Sequence, residues 1–278
     1  MIACLLERLI WILQVMKNDI LVSFIIVNYE SRNYLLRCIE SICQKKMGFS
    51  YEIIVVNNDI IPLEFNFEIK HLSILEENKN LGFATSCNIG AKMAKGIIFC
   101  FLNPDTELLA SQDILPLTTL LIQKRFAVIG PKLIPDPSSS DPQEWSTGAK
   151  TGIWDIIKNN LGLATSKKIW QSKELIRVDW VSGACLFVRR DNFFEVNGFD
   201  ENFFMYFEDM DFCTRIRSKG KKIAYFPKYS VVHFSGKSNS SRSLQKKYYF
   251  QSQGYYLKKH SGKLAYFFIS IAHRLRIE

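Results

Sequence analysis

The chain has 278 residues, of which 47% are apolar or aromatic and 23% are charged, and its net charge is +9. This length and composition provide a full hydrophobic core for one large domain or two small ones, which excludes a disordered protein. Its seven cysteines include no CxxC pair, so no secreted disulfide framework is indicated and a reducing, cytoplasmic compartment is expected.

The positive charge is concentrated near the C-terminus. Residues 213–278 contain fifteen Lys or Arg and one acidic residue, Glu278. A basic segment of this kind attracts phosphate-bearing partners. On charge alone, nucleic acid, anionic lipid and a pyrophosphate-linked substrate all fit, and so does a merely soluble face.

The first 19 residues form an N-terminal extension. Its apolar stretch, MIACLLERLIWILQVM, is interrupted by Glu7 and Arg8 and lacks the order of regions found in a signal peptide. No apolar run in the chain reaches the roughly 18 residues that cross a bilayer. We interpret the extension either as a short amphipathic anchor or as sequence upstream of a true start at Met16.

Strand-like and helix-like segments alternate through the N-terminal half. Apolar runs at residues 21–29, 51–59 and 96–105 and a shorter run, IKHLSIL, predict strands that are covered on both faces. A helix capped by Ser31 is expected to bury Leu35, Leu36, Ile39, Ile42 and Cys43, and a second helix begins after Gly82. The alternation predicts an α/β fold with a largely parallel central sheet and helices on both faces.

Polar residues follow three of these strands. Because ligands bind beyond the carboxyl ends of strands in such sheets, the candidate site lies at Asn28 to Glu30, Asn57 to Asp59 and Asn103 to Asp105. Proline fixes the backbone before Asp105 and aims its carboxylate rigidly. A divalent cation such as Mg or Mn needs few protein oxygens when a substrate supplies phosphate oxygens. An aspartate in a proline turn is also common for structural reasons alone.

The second half begins with a proline-rich and serine-rich loop at residues 135–145, followed by a weakly patterned region that extends to about residue 175. Beyond it, a strand is predicted at residues 180–188, then a short helix ending at Gly198. A further helix opens at a carboxylate cluster and runs to about Lys219, where Gly220 is a natural stop.

The carboxylate cluster consists of Glu208, Asp209 and Asp211, set among aromatic residues. Favourable charge at a helix N-terminus explains part of the cluster. Burial among aromatic side chains raises a carboxyl pKa, which suits a base for an alcohol. Asp211 lies four residues before Arg215 and is predicted to pair with it. That leaves Glu208 and Asp209 for chemistry.

The stretch VVHFSGKS offers a third candidate. His233, at the end of a short apolar strand, could ligate a metal, while the loop that follows and Lys237 could hold phosphate. A histidine at a strand end is also often purely structural.

Four blocks of the chain resemble family 2 glycosyltransferases of the bacterial kind that includes rhamnosyltransferases of cell-surface polysaccharides, which share the GT-A fold. The blocks occur in the family's order and span about residues 22–238. They are VSFIIVNYESRNYLLRCIESI, NKNLGFATSCNIGAKMAKGIIFCFLNPDTEL, WVSGACLFVRRDNFFEVNGFDENFFMYFEDMDFCTRIRSKG and HFSGKS.

The resemblance implies roles for individual residues. Asp105 matches the second acid of the family's metal motif, with Asn103 at the first position, and Asp209 matches the general base. His233 matches a histidine that helps hold the metal or the diphosphate. The residues that match the donor-binding stretch are Asn80, Gly82, Asn88 and Gly90. The chain departs from the family at Asn57-Asn58-Asp59, where Asp-Asn is usual, so the nucleobase contact falls to Asn57 or to Asp59.

The implied activity is a metal-dependent, inverting transfer of a sugar, with a deoxyhexose such as rhamnose favoured. The donor would be a nucleotide diphosphate sugar, the acceptor a glycan or a polyprenyl-diphosphate-linked sugar, and the cofactor a Mg or Mn ion. The protein would work at the inner face of the cell membrane, bound peripherally to its anionic surface through the basic helical segment 239–278. The alternative for residues 263–277 of this segment is a helix that packs on the protein body. Residues 20–238 would form the catalytic domain.

Two other functions were weighed against this one. A sugar nucleotidyltransferase should carry a glycine-rich basic loop after the first strand, and NYESRNYLL has no glycine. A nucleic-acid-binding protein would explain the basic, aromatic stretch at residues 242–260. It would leave the carboxylates unexplained, so no nucleic-acid partner is expected.

Overall fold

A computed structural model describes residues 20–65, 68–149, 167–235 and 242–262. The N-terminal extension, Lys237 and residues 263–278 lie outside these ranges. Within them, no helix is both long enough and apolar enough to cross a membrane.

The N-terminal half forms parallel strands joined by helices. The strands are β1 (Val22–Asn28), β2 (Tyr51–Asn57), β3 (Leu72–Glu76) and β4 (Ile98–Leu102), followed by the short β5 (Thr106–Leu108). The helices are α1 (Arg32–Cys43), α2 (Phe83–Met93) and α3 (Leu115–Ile122). The β1, β2 and β4 runs are almost entirely apolar and buried, as expected for strands covered on both faces.

The second half completes the sheet and adds helices. The strands are β6 (Val128–Ile134), β7 (Thr147–Gly148), β8 (Ile176–Val178), β9 (Trp180–Val181), β10 (Cys185–Arg189) and β11 (Ile223–His233). The helices are α4 (Lys167–Trp170), α5 (Arg190–Glu195), α6 (Glu208–Ser218) and α7 (Arg242–His260).

The main sheet has the order β3-β2-β1-β4-β10-β6-β11-β5, with β8 paired to β11. Strands β1 to β4 are parallel to one another, β11 is parallel to β6, and β10 runs antiparallel between β4 and β6. Strands β7 and β9 form a separate antiparallel pair. The prediction of an α/β fold with a mostly parallel sheet and helices on both faces is confirmed.

Side-chain alternation divides the core into two layers, one on each face of the sheet. In β1, Phe24 and Ile26 point to the layer that contains α1 and α3, whereas Ile25 and Val27 point to the layer that contains α2, α5 and α6. The second layer holds a cluster of rings in mutual contact. They are Phe99, Phe101, Phe193, Phe199 and Phe212.

Two predictions about α1 need correction. Ser31 precedes the helix, but its hydroxyl donates to the carbonyl of Tyr29 at 2.9 Å and does not cap it. Cys43 is exposed, and Cys38 takes its place in the core. The buried face of α1 therefore includes Cys38 and excludes Cys43, in contrast to the prediction.

The predicted strand at residues 180–188 is also wrong as a continuous element. Residues 182–184 leave the ladder, so the segment becomes β9, paired with β7, and β10, paired with β4. The backbone groups released at this break bind elsewhere, at the site described below.

Helix α7 packs against the aromatic segment that precedes α6. Ring centroids lie 4.8 Å apart for Phe203 and Tyr255 and 5.3 Å apart for Phe207 and Tyr249. The Ser252 hydroxyl donates to the carbonyl of Met205 at 2.7 Å. This helix, which begins the basic C-terminal segment, therefore forms part of the wall around the site.

Candidate active site

The polar ends of β1 and β2 lie side by side. Asn28 and Asn57 are register partners, and the Asn28 amide donates to Oδ1 of Asn57 at 2.8 Å and to Oδ2 of Asp59 at 2.9 Å. The Asp59 carboxylate also accepts the backbone N–H of Glu30 at 2.8 Å. The residues after these two strands thus form one network at the carboxyl edge of the sheet, where α/β proteins bind ligands.

A cleft of about 940 Å³ opens at this edge. It contains both Asp105, which follows β4, and Asp209, in the first turn of α6, although the two are about a hundred residues apart in the sequence. The other predicted site residues that line it are Glu30, Asn80, Gly82, Asn103, Glu208 and His233. The sheet and α6 therefore bring together carboxylates from both halves of the chain.

Asp209 is held by the break between β9 and β10. Its Oδ2 accepts the backbone N–H of Gly183 at 2.8 Å, and its Oδ1 accepts the N–H of Met210 at 2.7 Å. Burial raises the pKa of the Asp209 carboxyl, and these two hydrogen bonds offset part of that rise. A half-buried carboxylate with a raised pKa and fixed oxygens can accept a proton from an alcohol.

Glu208 is more deeply buried than its neighbour, with 5% of its surface exposed. Its Oε2 is one of five buried side-chain atoms of the described residues that have no hydrogen-bond partner. Burial raises its pKa far above the usual range, and the charges of Asp209 and Asp211 add to the effect. Because the pKa of Glu208 is raised further than that of Asp209, Asp209 is the member of the pair that ionises first as pH rises.

The backbone just before these acids is strained. Tyr206 and Phe207 have φ values of 69° and 66°, a left-handed conformation that bulky residues rarely adopt. Two such residues in succession turn the chain sharply into α6 and aim Glu208 and Asp209 into the cleft. Strain of this kind is retained where the surrounding structure enforces it, often at functional sites.

Asp105 lies beside His233. Strand β11 pairs with β5 so that His233 is opposite Thr106, and the backbone N–H of Phe234 donates to the Asp105 carbonyl at 2.9 Å. This pairing leaves Nε2 of His233 at 3.5 Å from Oδ1 of Asp105. The Asn103 amide nitrogen lies 3.5 Å from the same ring nitrogen.

Gln143 fixes the tautomer of His233. The main-chain carbonyl of His233 can only accept, so the Gln143 atom that lies 2.5 Å from it must be the amide nitrogen. The Gln143 carbonyl oxygen then faces Nδ1 of His233 at 2.9 Å, which requires the proton to be on Nδ1. In the neutral ring, Nε2 therefore presents a lone pair towards the Asp105 carboxylate. Sequence reasoning missed Gln143 because it lies 90 residues from its partner in a loop.

Two facing lone-pair groups suit a shared cation. A carboxylate oxygen and an imidazole nitrogen are ordinary ligands for Mn²⁺, and a carboxylate suits Mg²⁺. Within the described ranges, no cluster of three or more His, Cys, Asp or Glu side chains is arranged to hold a metal. The residues therefore fit a cation whose remaining ligands come from a bound substrate and from water.

Asp211 is structural, as predicted. It is fully buried and pairs with Arg215 at 2.7 Å, with the i,i+4 spacing. It also accepts from Lys259 and His260 of α7, each at 2.7 Å. Although burial alone would raise the pKa of Asp211, the hydrogen bond from His260 and the contacts with Arg215 and Lys259 lower it. Asp211 thus joins α6 to α7 and keeps its charge.

Gly82 is required by its neighbours. It has a φ of 81°, and a Cβ atom there would lie 2.5 Å from the carbonyl oxygen of Phe204. The tight contact lets the N–H of Phe83 donate to the same carbonyl at 2.8 Å. Asn80 accepts the Gly82 N–H at 3.0 Å through its side chain, which closes the turn into α2.

Several predicted donor-binding residues lie outside the cleft lining, where they make other contacts. Asn88 is buried, with its amide bonded to the backbone of Phe199 in both directions at 2.9 Å, so it joins α2 to the segment before α6. At Gly90 an added Cβ would lie 2.6 Å from the Ile25 side chain, so this glycine permits close helix–strand packing. Asn28, Asn57 and Asp59 lie behind the lining in the network described above.

Asn58 lines the cleft. The predicted nucleobase contact was assigned to its neighbours, Asn57 or Asp59. It is buried, and its Oδ1 accepts the Ser86 hydroxyl at 2.8 Å. The departure at residues 57–59 therefore places a different asparagine at the site from the one expected. Lys237 lies outside the described residues.

Helix α7 supplies one side of the cleft, which sequence reasoning also missed. Its lining residues are Leu244, Gln245, Tyr248, Tyr249 and Gln253. Trp145, from the loop after β6, lines the same cleft and is 42% exposed. No motif marked these residues, because aromatic residues on a helix equally predict a core contact.

Comparison with known proteins identifies the region that carries this site. The family model described as Glycosyl transferase family 2 matches residues 23–190, and the model described as N-terminal domain of galactosyltransferase matches residues 169–236.

Two relatives have described activities. Over 145 residues, the chain is 32% identical to rhamnosyltransferase WbbL of Escherichia coli (strain K12), covering 51% of this chain and 53% of the relative. Over 61 residues, it is 46% identical to N-acetylglucosaminyl-diphospho-decaprenol L-rhamnosyltransferase of Mycobacterium tuberculosis, covering 22% of this chain and 20% of the relative. The chain thus spans about half the length of the first relative and a fifth of the second.

The fold is similar to that of GalNAc-T7, whose crystal structure contains UDP, GalNAc and Mn²⁺. The TM-score is 0.60 with 18% identity, covering 84% of this chain and 47% of that one. This likeness shows the fold, a GT-A architecture, in agreement with the prediction.

Proposed function

This chain belongs to glycosyltransferase family 2, and we propose that it transfers a sugar from a nucleotide diphosphate sugar to a hydroxyl of a glycan or lipid-linked acceptor in surface polysaccharide synthesis. The observation that carries this proposal is the single cleft that contains both Asp105 and Asp209. One carboxylate suits the donor diphosphate and the other suits the acceptor hydroxyl. A deoxyhexose such as rhamnose is the favoured sugar, because two of the relatives are named rhamnosyltransferases.

The donor side is formed by Asp105 and His233. Together they would hold a divalent cation, Mg²⁺ or Mn²⁺, through a carboxylate oxygen and the Nε2 lone pair. When bound there, such an ion neutralises the negative charge that builds on the departing diphosphate. Gln143 keeps the Nε2 lone pair directed at the site. Asn58, Asn80 and the Gly82 turn line the cleft and would position the nucleotide sugar.

The acceptor side is formed by Asp209. Its carboxylate removes the proton from the acceptor hydroxyl as the hydroxyl oxygen attacks the anomeric carbon. The bond from that carbon to the diphosphate oxygen breaks on the opposite face, so the configuration inverts. A positioned base of this kind contributes about 10² to 10⁴ in rate. Burial and the charge of Asp209 raise the pKa of Glu208, which disfavours a second negative charge in the same small volume.

The acceptor is proposed to be a sugar on a polyprenyl diphosphate at the cytoplasmic membrane. The mycobacterial relative is named for such an acceptor. Lys246 and Lys247 of α7 are exposed, and each cation near an anionic surface contributes about 1 kcal/mol to membrane binding. Flotation of the full-length protein with anionic liposomes should show binding that weakens with salt. Equal binding to neutral liposomes would contradict the electrostatic part of the proposal.

A panel of nucleotide sugars tests the proposed reaction. Each donor is incubated with the protein and Mn²⁺ or Mg²⁺, and release of the nucleoside diphosphate is measured with and without N-acetylglucosaminyl diphosphate linked to a short lipid. We expect release from at least one donor, faster with the acceptor and abolished by EDTA. Metal-independent turnover would overturn the cation, and no release from any donor would overturn the function.

A further inference from the structure

We propose that the cleft-facing stripe of α7 is the acceptor-binding wall of this enzyme, and that it takes an uncharged pyranose ring by stacking on Tyr249 and Tyr248. The inference rests on the proposed function, because it names what binds beside Asp209. It adds that α7 is the element that selects the acceptor and that aromatic stacking is the chemistry of this selection.

The first support is where the stripe lies. Residues Tyr206 and Phe207 immediately precede the pair Glu208-Asp209, and both contact Tyr249, with ring centroids 5.8 and 5.3 Å apart. The acceptor hydroxyl must come within about 3 Å of the Asp209 carboxylate to lose its proton. The ring that carries the hydroxyl must then lie against the walls next to Asp209, and α7 forms one of them.

The second support is the chemistry of the stripe. Among the lining residues, positions 245, 249 and 253 are four residues apart, and so are positions 244 and 248, so all five lie on one face of the helix. They are Leu244, Gln245, Tyr248, Tyr249 and Gln253, and none of these five is charged. The lysines of α7 are not among the lining residues; they are Lys246, Lys247, Lys258 and Lys259. Aromatic rings with neighbouring amides suit a neutral sugar ring, whereas a phosphate group would call for cations.

The third support is the exposure of large apolar side chains. Trp145, Leu244 and Tyr249 are 42%, 38% and 37% exposed, and all three line this cleft. Exposed apolar groups that gather in one concave site mark a place where a ligand covers them. Trp145 also has a φ of 63°, a strained conformation for a tryptophan.

The fourth support is the boundary of the shared family region. The two family models end at residues 190 and 236, whereas α7 begins at Arg242. The carboxylates and the donor turn thus lie in the shared region, and the stripe of α7 lies outside it. The stripe of α7 is therefore not part of either matched family model, and the family match alone does not predict it.

The wall is fixed firmly enough to give specificity. Lys259 pairs with Asp200 at 2.6 Å and with Asp211 at 2.7 Å, and His260 also bonds to Asp211. These contacts hold the C-terminal end of α7 to the body. A preordered wall loses little conformational entropy when the ligand binds.

Saturation-transfer difference NMR with simple methyl glycosides tests the wall. The probes are methyl glycosides of N-acetylglucosamine, glucose, galactose and rhamnose, offered to the full-length protein in turn. We expect at least one to bind the wild type, with affinity about two- to tenfold weaker in Tyr249→Ala, which is the range expected for the loss of an aromatic contact. Tyr249→Phe keeps the ring and should bind like the wild type. Gln251→Ala, an exposed residue on the same helix, is the matched control.

The outcomes separate this inference from the proposed function. Binding that is unchanged in both Tyr249→Ala and Tyr248→Ala would overturn the wall, and so would the absence of binding by every glycoside to the wild type. Nucleotide sugar hydrolysis without acceptor is measured on the wild type and on Gln251→Ala, and the two rates should agree within about twofold, because Gln251 is exposed on α7 and is not among the lining residues. If the wild type hydrolyses no donor, the proposed function is refuted. Glycoside binding would still test the acceptor-binding wall independently.

Discussion

The backbone N–H of Gly183 donates a 2.8 Å hydrogen bond to Oδ2 of Asp209. The next residue, Ala184, accepts the backbone N–H of Asn103 at 3.0 Å through its carbonyl. The three residues that interrupt the strand at positions 182–184 therefore connect the start of α6 to the end of β4. Through them, the proposed base and the proposed cation site share one rigid frame.

Asp209→Asn should remove the base and little else. An amide cannot accept the acceptor proton, so kcat for transfer should fall by about 10² to 10⁴. The amide oxygen can keep only one of the two hydrogen bonds that Asp209 accepts, from Gly183 or from Met210, so the thermal unfolding midpoint should fall by no more than a few degrees. Steady-state kinetics and circular dichroism check both parts. Turnover near that of the wild type would remove Asp209 from the mechanism.

Glu208→Gln should separate burial from catalysis. The pKa of Glu208 is raised in the folded protein, so ionisation of this group favours the unfolded state as pH rises above its unfolded pKa. A neutral amide avoids that cost, and the variant should be more stable than the wild type at pH 8 and about equal at pH 4. Activity should stay within about tenfold, because Asp209 and not Glu208 is the proposed base. A variant that is less stable at pH 8 would show that Glu208 is ionised in the folded state.

Gln143→Leu should weaken cation binding without touching a ligand. Loss of the Gln143 oxygen releases the Nδ1 proton of His233, and the proton can then move to Nε2 and block the lone pair. Removal of such a supporting residue typically costs about 10- to 100-fold in metal affinity. Electron paramagnetic resonance with Mn²⁺ alone measures this, and Gln123→Leu, at an exposed glutamine after α3, is the control. Equal Mn²⁺ affinity in both variants would exclude Gln143 from this role.

Asp200→Asn should change how stability depends on pH. Burial alone would raise the pKa of Asp200, but hydrogen bonds from Lys259 and Asn202 lower it to about 2. A depressed carboxyl pKa contributes stability above the unfolded value near 3.8, and this contribution is lost as pH falls towards 2. Denaturant titrations should show the variant about 1 kcal/mol less stable at pH 6, allowing for solvent screening. The difference should vanish near pH 2, and a difference that is the same at both pH values would contradict the assignment.

The sequence predicted those parts of the fold that depend on local pattern. Buried apolar runs predicted β1, β2 and β4, and the i,i+4 spacing predicted the pairing of Asp211 with Arg215. The break at residues 182–184 could not be predicted, because a Val-Ser-Gly-Ala stretch has strand-like neighbours and its hydrogen bonds go to distant residues. Backbone groups at the break form hydrogen bonds with Asp209 and Asn103, and these two residues lie close to the break only in the tertiary structure.

The sequence predicted the site least well where either of two adjacent residues could line the cleft. Asn57 and Asn58 are adjacent, and their side chains leave the strand end on opposite sides, so a one-residue shift decides which of them lines the cleft. Asn88 and Gly90 match a donor-binding pattern, yet the contacts of α2 use them for packing. Gln143 and Tyr249 carry no motif, since their roles come from contacts with His233 and Phe207.

Calorimetric titration with nucleoside diphosphates and Mn²⁺ tests the central claim most directly, that Asp105 serves the donor and Asp209 the acceptor in one cleft. UDP, dTDP and GDP are titrated into the wild type, Asp105→Asn and Asp209→Asn. We predict that at least one binds the wild type, that Asp209→Asn binds it equally well, and that Asp105→Asn loses at least about tenfold in affinity. Equal binding by Asp105→Asn and the wild type, or loss only in Asp209→Asn, would contradict the account.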